Sequence, residues 1–250
     1  MQLSEMVSSQ LQLSTLDGLS GIQSTDRITQ AFARASSRLT QQIDSTNVQL
    51  SAFGQIKSSF AAAQTAANAL TTTAANQTAT GVDVRKAVQA FVDSFNQAAG
   101  TAGAAVNLTG ALANQGRAAL ANSDLTASIT AGSGITELRQ LGITRNQNGT
   151  LTLDTNALDQ AFQSNSAQVR GAMTQLGQQV GTRLGGELTA TGNVGASVAT
   201  LTQRSETLAT QQTTQDQKIA AALQSIQQQS AKINYSTATG LAAYQALFGG

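Results

Sequence analysis

The chain contains no cysteine, no histidine, no tryptophan and no proline. The first two absences remove disulfides, thiol nucleophiles, the usual zinc ligands and the commonest general base together. Charge is also scarce. Charged residues make up 11% of the chain, and 14 basic against 13 acidic residues leave a net charge of +1, with no basic stripe to grip phosphate. Nucleic acid is therefore not an expected partner. Aromatics are 4%, which limits a dense globular core and leaves Ala, Gln, Ser, Thr and Gly to fill space. Such a chain favours closely packed helices over a large buried sheet. No run of about 18 apolar residues occurs, so no membrane insertion is expected. Residues 1–21 lack a positive n-region and a continuous apolar core, with only Leu3, Met6, Val7, Leu11, Leu13, Leu16 and Leu19 scattered among polar residues, so no signal peptide is expected there.

What is present is helical periodicity at both ends. In 194–248 the residues Val198, Leu201, Leu208, Ile219, Ile226, Ile233 and Tyr244 form one stripe, while Gln203, Gln211, Gln217, Gln224 and Gln228 fall elsewhere. A helix of that length reaches roughly 80 Å at 1.5 Å per residue, beyond the diameter of a domain of this size, and needs a partner helix. Near the other end Phe32, Leu39, Ile43, Leu50, Phe53, Ile56, Phe60, Ala63, Ala67 and Leu70 keep the same spacing, with Thr46 as a single polar seam position. The two ends are expected to pair as an antiparallel coiled coil or join a larger one. Leu39, Ile43, Leu50, Phe53 and Phe60, with Leu201, Leu208, Ile219, Ile226 and Ile233, form the candidate seam for helix pairing or oligomerisation. Its many small and polar positions make it weak per turn, since burying a Leu or Ile contributes roughly 1.5–3 kcal/mol and an Ala much less. More copies of the chain would strengthen it.

Along the chain, 1–26 reads as a weakly ordered Ser/Gln/Leu segment with room for a short amphipathic helix over 5–16. Ser24-Thr25-Asp26 supplies an N-cap cluster for a first helix over about 27–74, and Gly54 inside it suggests a bend or a close contact. Val84, Val88, Phe91, Val92 and Phe95 give an apolar face over 82–99, weakened at its end by Gly100 and Gly103. A further helix is expected over 107–121 and a loop over 122–134 with a short ordered piece at 125–129. One helical turn at 135–141 precedes the only strand signal, 143–153, two alternating segments joined through Asn148-Gly149, residues that tolerate the positive φ of a tight turn. Asp154 caps a short helix bearing Leu158 and Phe162, and 164–166 caps another over 167–188 with Val169, Met173, Leu176, Val180 and Leu184 on its face. In that helix Gly177, Gly181 and Gly185 recur every four residues, either as small residues in a loose helix or as a groove that admits another backbone closely. The fold class is mainly α. A weakly ordered segment 1–26 leads into terminal helices 27–75 and 194–250 that form a discontinuous coiled-coil leg, and a helical body over 76–193 carries one hairpin at 143–153.

Chemistry has few places to reside. Lys57, Lys86 and Lys218 stand outside any Ser-x-x-Lys spacing, and the glycine series lacks the Gly-Lys-Ser/Thr of a phosphate loop. Of the conceivable metal ligands Asp83, Asp93, Asp154 and Asp159, Asp154 reads as a helix cap, and Asp93 and Asp159 as residues of solvated faces. No catalytic, cofactor-binding or metal site is expected, no cofactor is implied, and an enzyme is not expected. Tyr235 and Tyr244 could each anchor a subunit contact, with Tyr244 better placed to cover part of the seam.

Three blocks carry a resemblance. The run 38–43 (Arg-Leu-Thr-Gln-Gln-Ile) followed by 49–60 (Gln-Leu-Ser-Ala-Phe-Gly-Gln-Ile-Lys-Ser-Ser-Phe) resembles the amino-terminal segment of the flagellar hook-associated protein 2 family, the FliD filament caps. The run 84–96 resembles the segment with which that family returns from its head domains. Leu141-Gly142-Ile143-Thr144 with 148–154 and then Leu158 resembles its hairpin and capped helix. The blocks follow in the family's order across about 27–248, but only about a dozen residues, 71–82, stand where the family inserts its outer head domains. The resemblance implies a short form without the head, exported through the flagellar type III apparatus with 1–26 as the address, and located outside the cell on the flagellum. It implies a homo-oligomeric ring at the distal end, with flagellin, hook–filament junction proteins and the export apparatus as partners and promotion of flagellin assembly as the role. The rival readings are a flagellin-like or junction subunit and, in another class, a cytosolic helical adaptor or export chaperone.

Overall fold

The computed structural model describes residues 22–108, 115–131 and 134–248. The expected helix at 5–16 and the expected segment around 109–114 lie outside the described residues. Those residues form seven helices and one hairpin: α1 (Ile22–Ala75), α2 (Gly81–Leu108), α3 (Gln115–Thr130), α4 (Gly134–Gln140), β1 (Ile143–Arg145), β2 (Leu151–Leu153), α5 (Thr155–Ser164), α6 (Ser166–Leu188) and α7 (Asn193–Phe248). The fold is mainly α. Two compact units divide the chain, one made of Met1–Ile43 with Thr207–Gly250 and the other of Asp44–Glu206, and the helices α1 and α7 contribute to both.

The core lies in the second unit. Along α1 the buried positions Thr46, Gln49, Phe53, Ile56, Phe60, Ala63, Ala67, Leu70 and Ala74 alternate steps of three and four, the stripe that places successive side chains on one helical face. On α2, Val84, Val88, Phe91, Val92 and Phe95 are buried, and the stripe continues through Ala98, Ala102 and Ala105. α2 therefore runs past Gly100 and Gly103, where the sequence suggested weakening. Nothing packs near either glycine, and the burial of the flanking alanines outweighs the roughly 1 kcal/mol that each glycine costs a helix. The expected loop over 122–134 is likewise mostly helix, because Ala118, Ala121, Leu125, Ser128 and Ile129 on α3 form one buried face against α2 and α6. At its amino-terminal end α1 starts at Ile22, so Ser24, Thr25 and Asp26 lie inside its first turns.

Caps fix the other boundaries. Thr80 and Asp83 form a reciprocal box at the start of α2: the Thr80 N–H and hydroxyl both donate to Asp83 Oδ2, at 2.8 and 2.7 Å, and the Asp83 N–H donates to Thr80 Oγ1 at 3.4 Å. Asp154 accepts from the Ala157 N–H at the start of α5, and Asn165 accepts from the Gln168 N–H at the start of α6. The hairpin pairs Ile143 with Leu153, Thr144 with Thr152 and Arg145 with Leu151, and seats Ile143 and Leu151 in the core. Its turn differs from a two-residue Asn-Gly turn. Only Gly149 takes positive φ, at 86°, and its N–H donates to Asn146 O at 3.0 Å, giving a three-residue loop with the glycine as the bulge. Asn96 on α2 then clamps the hairpin from outside, donating to Leu151 O at 2.8 Å and accepting from Leu151 N–H at 2.6 Å, as a neighbouring strand would.

α6 is the centre of the body and packs on α3, α4 and α5. It also lies directly against α1: a Cβ at Gly177 would sit 2.5 Å from Ala67 O, one at Gly181 2.6 Å from Asn68 Oδ1, and one at Gly185 2.7 Å from Gln64 Nε2. Gly177 faces Ala67 and Thr71 while Gly185, two turns on, faces Gln64, so residue numbers fall on α1 as they rise on α6 and the two run antiparallel. The close backbone approach of the sharper reading is made at Gly177, while Gly181 and Gly185 meet the side-chain ends of Asn68 and Gln64. Gly54, by contrast, faces open space and makes no close contact. Urea unfolding separates these environments. Gly177→Ala is expected to destabilise by about 1–3 kcal/mol, because the fixed carbonyl of Ala67 cannot move aside as a side-chain end can. Gly54→Ala should stabilise by about 0.5–1 kcal/mol through the lower backbone entropy of alanine.

Candidate functional site

For a chain of this composition the functional surface is set by helix seams and by the turns that fix their geometry. Of the ten seam candidates, Phe53, Phe60 and Leu201 are buried in one core with Ile56, Leu70 and Phe95. Leu50 is half-buried at the edge of that core. In the unit formed by the chain's two ends, Leu39 and Leu208 are buried and Ile43, Ile219 and Ile226 half-buried. The side chain of Ile233 lies outside the described residues, as does that of Tyr244. There the two helices lie side by side where Gln215 Nε2 donates to Ser36 Oγ at 3.0 Å.

The seam on α1 differs from the expected one near its middle. Thr46 and Gln49 are the buried positions, with Ile43 and Leu50 beside them only half-buried, so the seam carries two adjacent polar residues where one was expected. Gln49 Nε2 donates to Ser45 Oγ at 3.2 Å. Polar residues at seam positions lower stability and restrict register, since any slip would set their amides and hydroxyls against apolar side chains. Tyr235 is 77% exposed and covers no seam.

The turn at 76–80, which joins α1 to α2, is tied down from α6. Arg170 Nη1 lies 2.6 Å from Asn76 O and 3.2 Å from Ala74 O, with Thr73 O at 3.4 Å, and Nη2 donates to Ala79 O at 2.8 Å. A helix end leaves its last carbonyls without intrahelical donors, and one guanidinium here supplies donors to the end of α1 and to the turn beyond it. Its cation also stands 5.5 Å from the centre of the Phe162 ring. The sequence holds no local motif for this contact, because Arg170 lies 94 residues from Asn76.

A second polar cluster holds the junction of α6 and α7. Asn193 Nδ2 donates to Asp124 Oδ2 and to Glu187 Oε1, both at 3.3 Å, and Arg183 Nη2 meets Asp124 Oδ1 at 3.3 Å. Glu187 Oε2 is buried without a hydrogen-bond partner. Burial, aided by the nearby Asp124 carboxylate, pushes the Glu187 carboxyl above its ordinary value of 4.5. Asp83 moves the other way: the Thr80 backbone N–H and hydroxyl hold it below its ordinary 3.8.

The remaining acids considered as ligands are engaged singly. Asp159 pairs with Arg85 at 2.7 Å, Asp93 accepts from Gln89 at 2.8 Å, and Asp154 is a cap. Among the described residues no group of three potential ligands comes together, and no helix is long and apolar enough to cross a membrane. A groove of about 420 Å³ between α1 and α6 is lined by Asn68, Thr71, Thr72, Gln178, Gly181 and Thr182, an amide and hydroxyl surface without an ionisable group.

Two outcomes follow from these clusters. Arg170→Lys should destabilise the chain by about 1.5–3 kcal/mol in urea unfolding, because one ammonium cannot reproduce the fork that serves separate carbonyls. Glu187 favours its protonated form in the folded state, so its contribution to stability is greatest below pH 4.5 and is lost as pH rises through its elevated folded value. Glu187→Gln is accordingly expected to raise the melting temperature at pH 7, with the gain shrinking as the pH approaches 4, read by thermal scans across that range.

Comparison with known proteins agrees with this architecture. The family model described as the flagellar hook-associated protein 2 C-terminus matches residues 33–236, from α1 through the hairpin into α7. No curated protein and no solved structure matches the chain. With most of its length inside that match, the chain belongs to the flagellar hook-associated protein 2 family.

Proposed function

We propose that this chain is a capping subunit of the bacterial flagellum, which oligomerises at the distal end of the axial structure and promotes flagellin assembly. The observation that carries the reading is the family match across both long helices and the hairpin. That family is structural and not enzymatic. The seam supports the self-association part. In the unit built from the chain's ends, Ile43, Ile219 and Ile226 keep part of their apolar surface in water, and Leu241 is largely exposed. Further copies would cover these side chains, each fully buried Ile or Leu contributing roughly 1.5–3 kcal/mol relative to its exposed state.

In this reading the terminal helices form the leg through which copies join in a ring. Leu39 and Ile43 line it from α1 and Leu208, Ile219 and Ile226 from α7, while Phe53, Phe60 and Leu201 belong to the core of the body and Leu50 to its edge. Flagellin, hook–filament junction proteins and the export apparatus are the partners, and the flagellum outside the cell is the location. Without a head, the chain acts through its legs: a weak polar seam re-seats on successive lattice positions more readily than a dense apolar one, because less buried area is given up at each step.

Cells lacking the protein should release monomeric flagellin into the medium, and normal filaments in such cells would remove the proposed role. Purified protein should form closed rings on concentration, seen by electron microscopy and sedimentation; open filaments would favour a flagellin-like subunit. Ile226→Asp should leave the body's unfolding unchanged while raising the concentration needed for association at least about tenfold, the equivalent of 1.4 kcal/mol.

A further inference from the structure

We propose that Asn148 is a site of spontaneous backbone-assisted deamidation, converting the hairpin turn to aspartyl and isoaspartyl forms as the protein ages. Asn148-Gly149 is the sole Asn-Gly pair in the sequence. The reaction needs an exposed asparagine, an unhindered amide nitrogen on the next residue, and donors that stabilise charge on the side-chain oxygen. The turn supplies the first and the third. Asn148 is exposed and the glycine after it has no side chain to cross the path of attack, but the Gly149 N–H donates to Asn146 O at 3.0 Å, so attack requires that bond to open.

The third requirement is met by Thr150. Its backbone N–H donates to Asn148 Oδ1 at 3.1 Å and its hydroxyl at 2.6 Å. Asn146 Nδ2 in turn donates to Thr150 Oγ1 at 2.9 Å, which occupies a hydroxyl lone pair and leaves the hydroxyl proton for Asn148. Two donors therefore converge on the oxygen that becomes negative when the side-chain carbonyl is attacked, the arrangement of an oxyanion hole. The Gly149 nitrogen gives its proton to hydroxide and bonds to Asn148 Cγ, and the Cγ–N bond to the amide breaks with release of ammonia, leaving a succinimide. Water then opens the ring at either carbonyl to give aspartate or isoaspartate.

The isoaspartyl product adds a backbone methylene to a loop closed by Asn146 N–H to Thr150 O at 2.8 Å, next to Leu151, which Asn96 holds in the core. Its free α-carboxylate would also be a substrate for carboxyl methylation, the class of reaction that consumes isoaspartate.

The full chain is incubated at pH 8 and 37 °C, and peptides are followed by mass spectrometry, with an isoaspartyl methyltransferase and labelled methyl donor as a second readout. Asn148 should convert at least about tenfold faster than Asn122 and Asn165, which precede serines, and methyl incorporation should rise with incubation time. Thr150→Val should slow conversion by about tenfold, the worth of one hydrogen bond, with circular dichroism confirming that the helical fold is kept. Conversion first at another asparagine, or an undiminished rate in Thr150→Val, overturns the proposal. If the variant does not fold, comparison of the native chain with and without urea decides: conversion as fast or faster in urea shows that the turn does not promote the reaction.

Discussion

The body of this molecule depends on how closely α6 can approach α1. Beside large side chains such as Phe53, Phe60, Phe91 and Phe95, alanines occupy many of the core's buried positions on α1 and α2. Alanine side chains bury little area each, so contact is kept only where helix axes come near. Glycine at 177 permits that against the carbonyl of Ala67. The same proximity brings Arg170, two turns earlier on α6, within reach of the end of α1, so one packing arrangement positions both the core and the pin that closes the turn at 76–80.

Where apolar area is limited, polar side chains set the geometry by standing in for backbone. Asn96 donates to and accepts from Leu151 as a strand would, Arg170 serves carbonyls that a continued helix would have used, and Gln179 on α6 donates to Ser128 O and Ala131 O at the end of α3. Each of these bonds joins segments far apart in sequence. Together they give definition to a body whose stripes of alanine, by themselves, would tolerate sliding. The seam follows the same logic, because Thr46 and Gln49 restrict register at a cost in stability.

Long-period features were legible in advance. The buried stripe from Phe53 to Leu70, the apolar faces from Val84 to Phe95 and from Val169 to Leu184, the hairpin pairing and the Asp154 cap all follow from local spacing and local chemistry. The errors cluster where burial overrode local preference. Gly100 and Gly103 read as a helix end, yet α2 continues because Ala98, Ala102 and Ala105 are packed. Residues 122–134 read as a loop with only a short helical or extended piece at 125–129, yet the helix runs on to Thr130 because Leu125 and Ile129 face α2 and α6. Long-range polar contacts such as that of Arg170 carried no sequence signal, and the acidic junction of Asp124, Glu187 and Asn193 had none either, since its members are drawn from three helices.

Residue order alone determined that the chain is helical, that its two ends carry long apolar stripes, and that a single hairpin interrupts it, because the periods of 3.6 and 2 are properties of the local backbone. Only the tertiary structure decided which reading of Gly177 holds, that Thr46 and Gln49 sit in the seam, and that one carboxylate oxygen of Glu187 is buried near another carboxylate. Those outcomes depend on what stands opposite each residue, and a one-dimensional pattern does not contain the distance between two helices.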